Sequence, residues 1–121
     1  MADYTPIFKP GVEVTLTASA AITAGQALVV SGQQTVAPSA GASAAFAGIA
    51  ATDAASGEKV VVIGPAVHEL TSTGTVGEGD LLVTAASGAV AAAGAEPAAG
   101  TIIGLALADA ASNKVIAKTF R

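Results

Sequence analysis

Few residues in this chain carry groups that could do covalent or metal chemistry. The single histidine, His68, stands beside Glu69, and an imidazole next to a carboxylate is the pairing that moves a proton or activates a nucleophile. Asp53 and Asp109 could serve as the two carboxylates of an acid–base mechanism. Gly77-Glu78-Gly79-Asp80 begins like the glycine-rich loop that cradles a dinucleotide.

None of these grows into a constellation. His68 and Glu69 fall in a strand-like segment, where successive side chains face opposite ways, so they cannot form a dyad. His68 is expected to be a half-buried structural residue. Asp53 and Asp109 each open a copy of the same Asp-Ala-Ala-Ser segment, and both are expected to be turn caps whose carboxylates accept backbone N–H groups. Position 82 is Leu where a dinucleotide loop needs its third Gly, so residues 77–80 read as a turn. With one His, no Cys and dispersed acidic residues, no metal-ligand spacing exists. The sequence predicts a protein that is not an enzyme, with no catalytic, cofactor-binding or metal residues.

Composition narrows the partners. Nine acidic and five basic residues give a net charge of −4. Lys9, Lys59, Lys114, Lys118 and Arg121 are scattered, which leaves no basic surface to track phosphates, so no nucleic-acid partner is expected. Mean hydropathy is high because of alanine rather than long aliphatics. Residues 40–51 mix Ala, Gly and Ser and fall short of the ~18–20 strongly apolar residues of a membrane span. The start, Met1 to Pro6, has no basic region followed by an apolar core, so neither a membrane partner nor a signal peptide is expected. The aromatics are Tyr4, Phe8, Phe46 and Phe120 alone. A core so poor in large side chains favours burial between subunits.

The elements that would position these residues come in two copies. Gly48-Ile49-Ala50-Ala51-Thr52-Asp53-Ala54-Ala55-Ser56 recurs 56 residues later as Gly104-Leu105-Ala106-Leu107-Ala108-Asp109-Ala110-Ala111-Ser112. Upstream, at a spacing of 54, Leu16-Thr17 answers to Leu70-Thr71, Gly25 to Gly79, Leu28-Val29 to Leu82-Val83, and Val36-Ala37 to Val90-Ala91. Ordered matches of Gly, Asp, Leu and Val indicate an internal duplication. The expected organisation is an arm over residues 1–11, a first β repeat over 12–64 and a second over 65–121, fused in one compact domain.

Both copies read as strands. Val12, Val14 and Leu16 alternate with Glu13, Thr15 and Thr17, the period of a half-buried strand. Residues 26–31, 60–63, 81–85 and 114–119 are short aliphatic runs bounded by turn residues. About ten strands are expected, in an all-β barrel or sandwich of two pseudo-symmetric repeats. Ser31-Gly32 and Ser87-Gly88 are hairpin-turn signals. The small-residue stretches 37–45 and 91–100 read as mobile loops at one end of the molecule. Pro6 and Pro10 keep the arm extended, and Tyr4, Ile7 and Phe8 on it are the candidate contacts with a capsid or a neighbouring subunit. The alternative is that the arm folds back on its own barrel.

The order of these motifs resembles a known family. A Gly-bounded strand (Ile22 to Val29) precedes G-x-A-x-x-D-A-A-S-G-E with Val60 to Ile63. Val76-Gly77-Glu78-Gly79-Asp80-Leu81-Leu82 follows, then Gly104-Leu105-Ala106 with the second D-A-A-S. From about Val12 to Thr119 the chain resembles the small bacteriophage head proteins called capsid decoration, or head-stabilising, proteins. The resemblance implies a β-rich structural protein made in the host cytoplasm. It would bind the outer surface of an assembled virion shell, with the major capsid protein and its own copies, as a homotrimer, for partners. Two other functions compete. A host- or carbohydrate-binding β module would normally present exposed aromatics, and here Trp is absent. A hydrolase would have to be built on Asp53 or Asp109.

Overall fold

A computed structural model describes residues 13–95 and 97–120. The expected arm, with Tyr4, Ile7 and Phe8, lies outside the described residues. Alternation of small β-branched and polar residues yields ten strands. They are β1 (Val14–Ala18), β2 (Ala27–Gly32), β3 (Thr35–Pro38), β4 (Phe46–Ala50), β5 (Lys59–Ile63), β6 (Val67–Thr71), β7 (Leu81–Thr84), β8 (Val90–Ala92), β9 (Gly104–Ala106) and β10 (Lys114–Thr119). The pleat is plainest in β10, where Val115, Ala117 and Thr119 point inward between exposed neighbours. The only helical element among the described residues is a 3-10 turn at Ala86–Gly88. Alanine, for all its helix propensity, is too often interrupted here by Gly and Ser to propagate a helix.

The first five strands close into a barrel in the order β1-β3-β2-β4-β5, and the second five form a sheet in the order β6-β10-β9-β7-β8. Replacing each strand of the first set by the one five places later reproduces every pairing of the second. Registers agree as well: Leu16 pairs with Val60 and Leu70 with Val115, and Ala27 pairs with Ile49 and Leu81 with Leu105. The expected all-β architecture is therefore present, with one difference between its halves. The parallel pairing of β1 with β3, through Thr17–Thr35 and Ala18–Val36, closes the first barrel. Its counterpart in the second half shrinks to a single parallel bridge, Ser72 to Val90, so that sheet stays open along one seam.

Two apolar clusters fill the molecule. Ile22, Leu28, Val36, Val60 and Val62 lie inside the first barrel. The second cluster gathers Leu70, Val76, Leu82, Val90, Ile103 and Val115, and it also takes Ala27, Phe46 and Ile49 from the first half. One of the two cores is thus shared between the halves. Hydrogen bonds seal the same junction. Ser39 Oγ donates to the Ala85 carbonyl at 2.6 Å and the Gly88 N–H to the Ser39 carbonyl at 3.0 Å. Thr84 Oγ1 donates to the Gly41 carbonyl at 2.7 Å and accepts from the Ser43 N–H at 3.0 Å.

Two local expectations are corrected. Residues 37–45 are no free loop: Ala37 and Pro38 end β3, and Ser39, Gly41 and Ser43 are tied to the second half, which satisfies polar groups the segment would otherwise expose to water. Ser31-Gly32 does not turn the first hairpin. Both residues stay in β2, past a register shift between Val30 and Gly32, and the turn falls on Gln33-Gln34, with Gln34 at φ 49°. Ser87-Gly88 does form the equivalent turn, at φ 57° and 74°.

Candidate functional site

Asp53 and Asp109 accept equivalent hydrogen bonds, although neither closes the segment it opens. The Ala24 N–H donates to Asp53 Oδ1 at 2.8 Å, and the Glu78 N–H donates to Asp109 Oδ1 at 2.8 Å. Each carboxylate reaches across to a tight turn ahead of β2 or β7. These turns are themselves copies. Gly25 and Gly79 sit at φ 92° and 82°, the left-handed position a type II turn demands of its third residue. The Thr23 N–H donates to Gln26 Oε1 in one, and the Gly77 N–H to Asp80 Oδ2 in the other, both at 2.8 Å. The glycine pair of residues 77–80 thus shapes a turn, and the N–H groups that a dinucleotide loop would aim at phosphate are spent on Asp109 and Asp80. The Ala-Ala-Ser turn after Asp53 is instead held by Glu58, whose Oε1 accepts from the Ala55 N–H at 2.8 Å.

His68 occupies the place in β6 that Val14 holds in β1: it pairs with Ala117 as Val14 pairs with Val62. The ring is half-buried, its Nε2 has no hydrogen-bond partner, and desolvation lowers its pKa below 6.5 against the opposing effect of a backbone hydrogen bond with Gly64. Glu69 lies on the other face, paired with Ile116. The two adjacent residues are therefore kept apart by the pleat.

A cleft of about 360 Å³ runs between the halves, lined by Gly25, Gln26, Glu69, Thr71, Ser87 and Lys114 among others. Its charged groups are one carboxylate and one ammonium, and Lys114 Nζ donates to Thr71 Oγ1 at 3.1 Å, as Lys59 Nζ does to Thr17 Oγ1 at 2.9 Å in the first half. Among the described residues no group of three His, Asp or Glu side chains gathers closely enough to hold a metal ion.

The surface that stands out is apolar. Leu81, Leu107, Ile116 and Val67 are all exposed on the second half. Cross-strand pairing sets Val67, Lys118, Leu105 and Leu81 in one row across its outer face. Sequence reasoning missed this row. The signal was available in the equivalence of Leu81 to Ala27, a large residue where the first copy has a small one. Within the row Leu105 is half-buried and Lys118 stands between it and Val67, so exposed aliphatics and one cation share this face, a candidate contact surface.

Comparison with known proteins agrees with an interaction role. Residues 8–120 match the family model described as phage cement protein. The fold is also that of the head fiber gp8.5 N base of bacteriophage phi29, whose crystal structure superposes with a TM-score of 0.69 at 20% sequence identity, covering 89% of this chain and 92% of that one. None of the curated proteins compared matches the sequence. A match running through both β repeats is a match of the whole architecture, and on it the chain belongs to the phage cement protein family.

Proposed function

We propose that this protein is a capsid cement: a structural component of the virion that binds the outer surface of an assembled bacteriophage shell and ties neighbouring capsid subunits together. The observation that carries the proposal is the family match over residues 8–120. A fold shared with a phage head fiber base supports it, as do the exposed aliphatics Val67, Leu81, Leu107 and Ile116 of the second half. The major capsid protein is the partner on this reading, and the work is done by binding rather than catalysis, without nucleic acid or membrane.

Self-association as a homotrimer, and anchoring through Tyr4, Ile7 and Phe8, belong to the same proposal. A core sparse in large side chains is better stabilised when apolar surface is shared between copies. The test is to add the purified protein to shells that lack it and follow shell disruption by heat. Saturable binding with a higher disruption temperature is expected. Failure to bind the shells of its own phage would overturn the proposal.

A further inference from the structure

Among the described residues, two buried side-chain atoms have no hydrogen-bond partner: His68 Nε2 and Ser72 Oγ. Both belong to one line. The pleat of β6 puts residues 68, 70 and 72 on the same face, and the ladder to β10 runs on past the strand, where the Ser72 N–H donates to the Asn113 carbonyl at 2.9 Å. Leu70, between the two polar groups, is 2% exposed and part of the second core. The first copy has Val14, Leu16 and Ala18 at these places, none of which carries a polar side chain.

A buried polar group without a partner weakens the element that carries it. β6 also has little support at its other edge. On one side it pairs with β10 from Val67–Lys118 to Thr71–Lys114, and on the other a single bridge joins Ser72 to Val90. β1, its equivalent, is laced on both sides, to β5 and to β3.

The surroundings of His68 give its response to acid one direction. Ala117 stands opposite it on β10, where Lys114, Ile116 and Lys118 alternate to the exposed face. Glu69, next to it on β6, is exposed on that face too. Leu70 and Val115, the next pair on the inner face, carry no charge. Among the described residues no carboxylate therefore shares a proton with the ring, and desolvation outweighs the backbone hydrogen bond with Gly64 in lowering its affinity for one.

We infer that β6 is a release strand built into the fold: it opens locally ahead of the other strands, and protonation of His68 in the opened form holds it open. Opening brings His68 Nε2 and Ser72 Oγ to water, so both groups gain the hydrogen bonds that the closed strand denies them. The single histidine lies in the second half, so acid acts on one copy of a duplicated fold and leaves the other as a frame.

Amide hydrogen exchange tests this, read as protection relative to the unfolded-chain rate at each pH. Leu16–Val60 and Leu70–Val115 are equivalent pairs. At neutral pH the Leu70–Val115 amides are expected to be at least about tenfold less protected than the Leu16–Val60 amides. Below pH 6.5 their protection should fall by up to about tenfold per pH unit, the limit for uptake of one proton. His68→Val is expected to remove that pH dependence, and Ser72→Ala to keep it while raising protection. With one histidine in the chain, the ring signal in a proton NMR spectrum titrates alone, and this measurement on the unaltered protein serves if a variant does not fold. The ring is expected to titrate below 6.5. Equal protection of the two pairs at every pH overturns the inference, because the opening is then global. A pH dependence that survives His68→Val, or a ring that titrates at 6.5 or above, overturns it as well.

Discussion

Gly48 lies so close to the backbone of β5 that a Cβ on it would stand 2.5 Å from the carbonyl oxygen of Ile63. Its equivalent, Gly104, has the same relationship to the Lys118 carbonyl, also at 2.5 Å. The glycine that opens both nine-residue repeats is there because two strands press together at that point, and backbone has no side chain that could move aside.

Gly48→Ala is expected to destabilise the fold by about 1–3 kcal/mol or more, as forced overpacking does, with added strain from its φ of +145°. Gly104→Ala should cost less, since only the close approach applies there. Gly41→Ala, with nothing within 4 Å of the new Cβ, should be nearly neutral. Urea melts of the three variants check the order.

Asp53→Ala and Asp109→Ala each remove one acceptor from an exposed N–H, of Ala24 and Glu78 respectively. Each substitution is expected to cost about 0.5–1.5 kcal/mol. The costs should add in the double variant because the turns share no partner. Shell binding at a temperature where both variants are folded should be unchanged, which separates a structural carboxylate from a catalytic or contact one.

Much of the fold was legible because its causes are local. Alternation in Lys114 to Thr119 sets the faces of β10, and the repeated Gly, Asp and Leu positions lead to the same pairing scheme in both halves. Non-local facts were not legible. The target of the Asp53 carboxylate lies 29 residues away, in a turn that the pairing of β2 with β4 brings near. Ala27 reads as ordinary alanine until the second half is seen covering it. The seam was equally hidden: Ala18 and Val36 make a strand pairing where Ser72 and Val90 make one bridge, a difference of a few hydrogen bonds that no residue type announces.

His68 gives the protein a pH dependence with a definite sign. Its pKa is lowered in the folded state by desolvation, so the unfolded chain binds the proton more readily. The stability this group contributes is complete above the unfolded value of about 6.5 and is lost as pH falls from there through the folded pKa. His68→Val, which restores the residue found at position 14, should raise the melting temperature more at pH 5.5 than at pH 8. Equal shifts at both pH values would show that the ring does not titrate as described.

Deleting residues 2–9 removes Tyr4, Ile7 and Phe8 while leaving the β1–β5 ladder, which begins at Val14, complete. Melting is expected to change little. Shell affinity should fall at least tenfold, since burial of one such side chain contributes about 1.5–3 kcal/mol. A truncated protein that saturates shells with unchanged affinity removes the arm as anchor. A large fall in melting temperature instead assigns it to its own barrel.

The open seam also bears on how the molecule fails under load. In the first half β3 is laced on both edges, to β2 and to β1, so pulling it out breaks two ladders at once. In the second half β8 is laced to β7 alone, apart from the single bridge at Val90, and it can peel away row by row. A pull on β8 therefore meets one ladder and the shared core around Val90, where a pull on β3 meets two ladders.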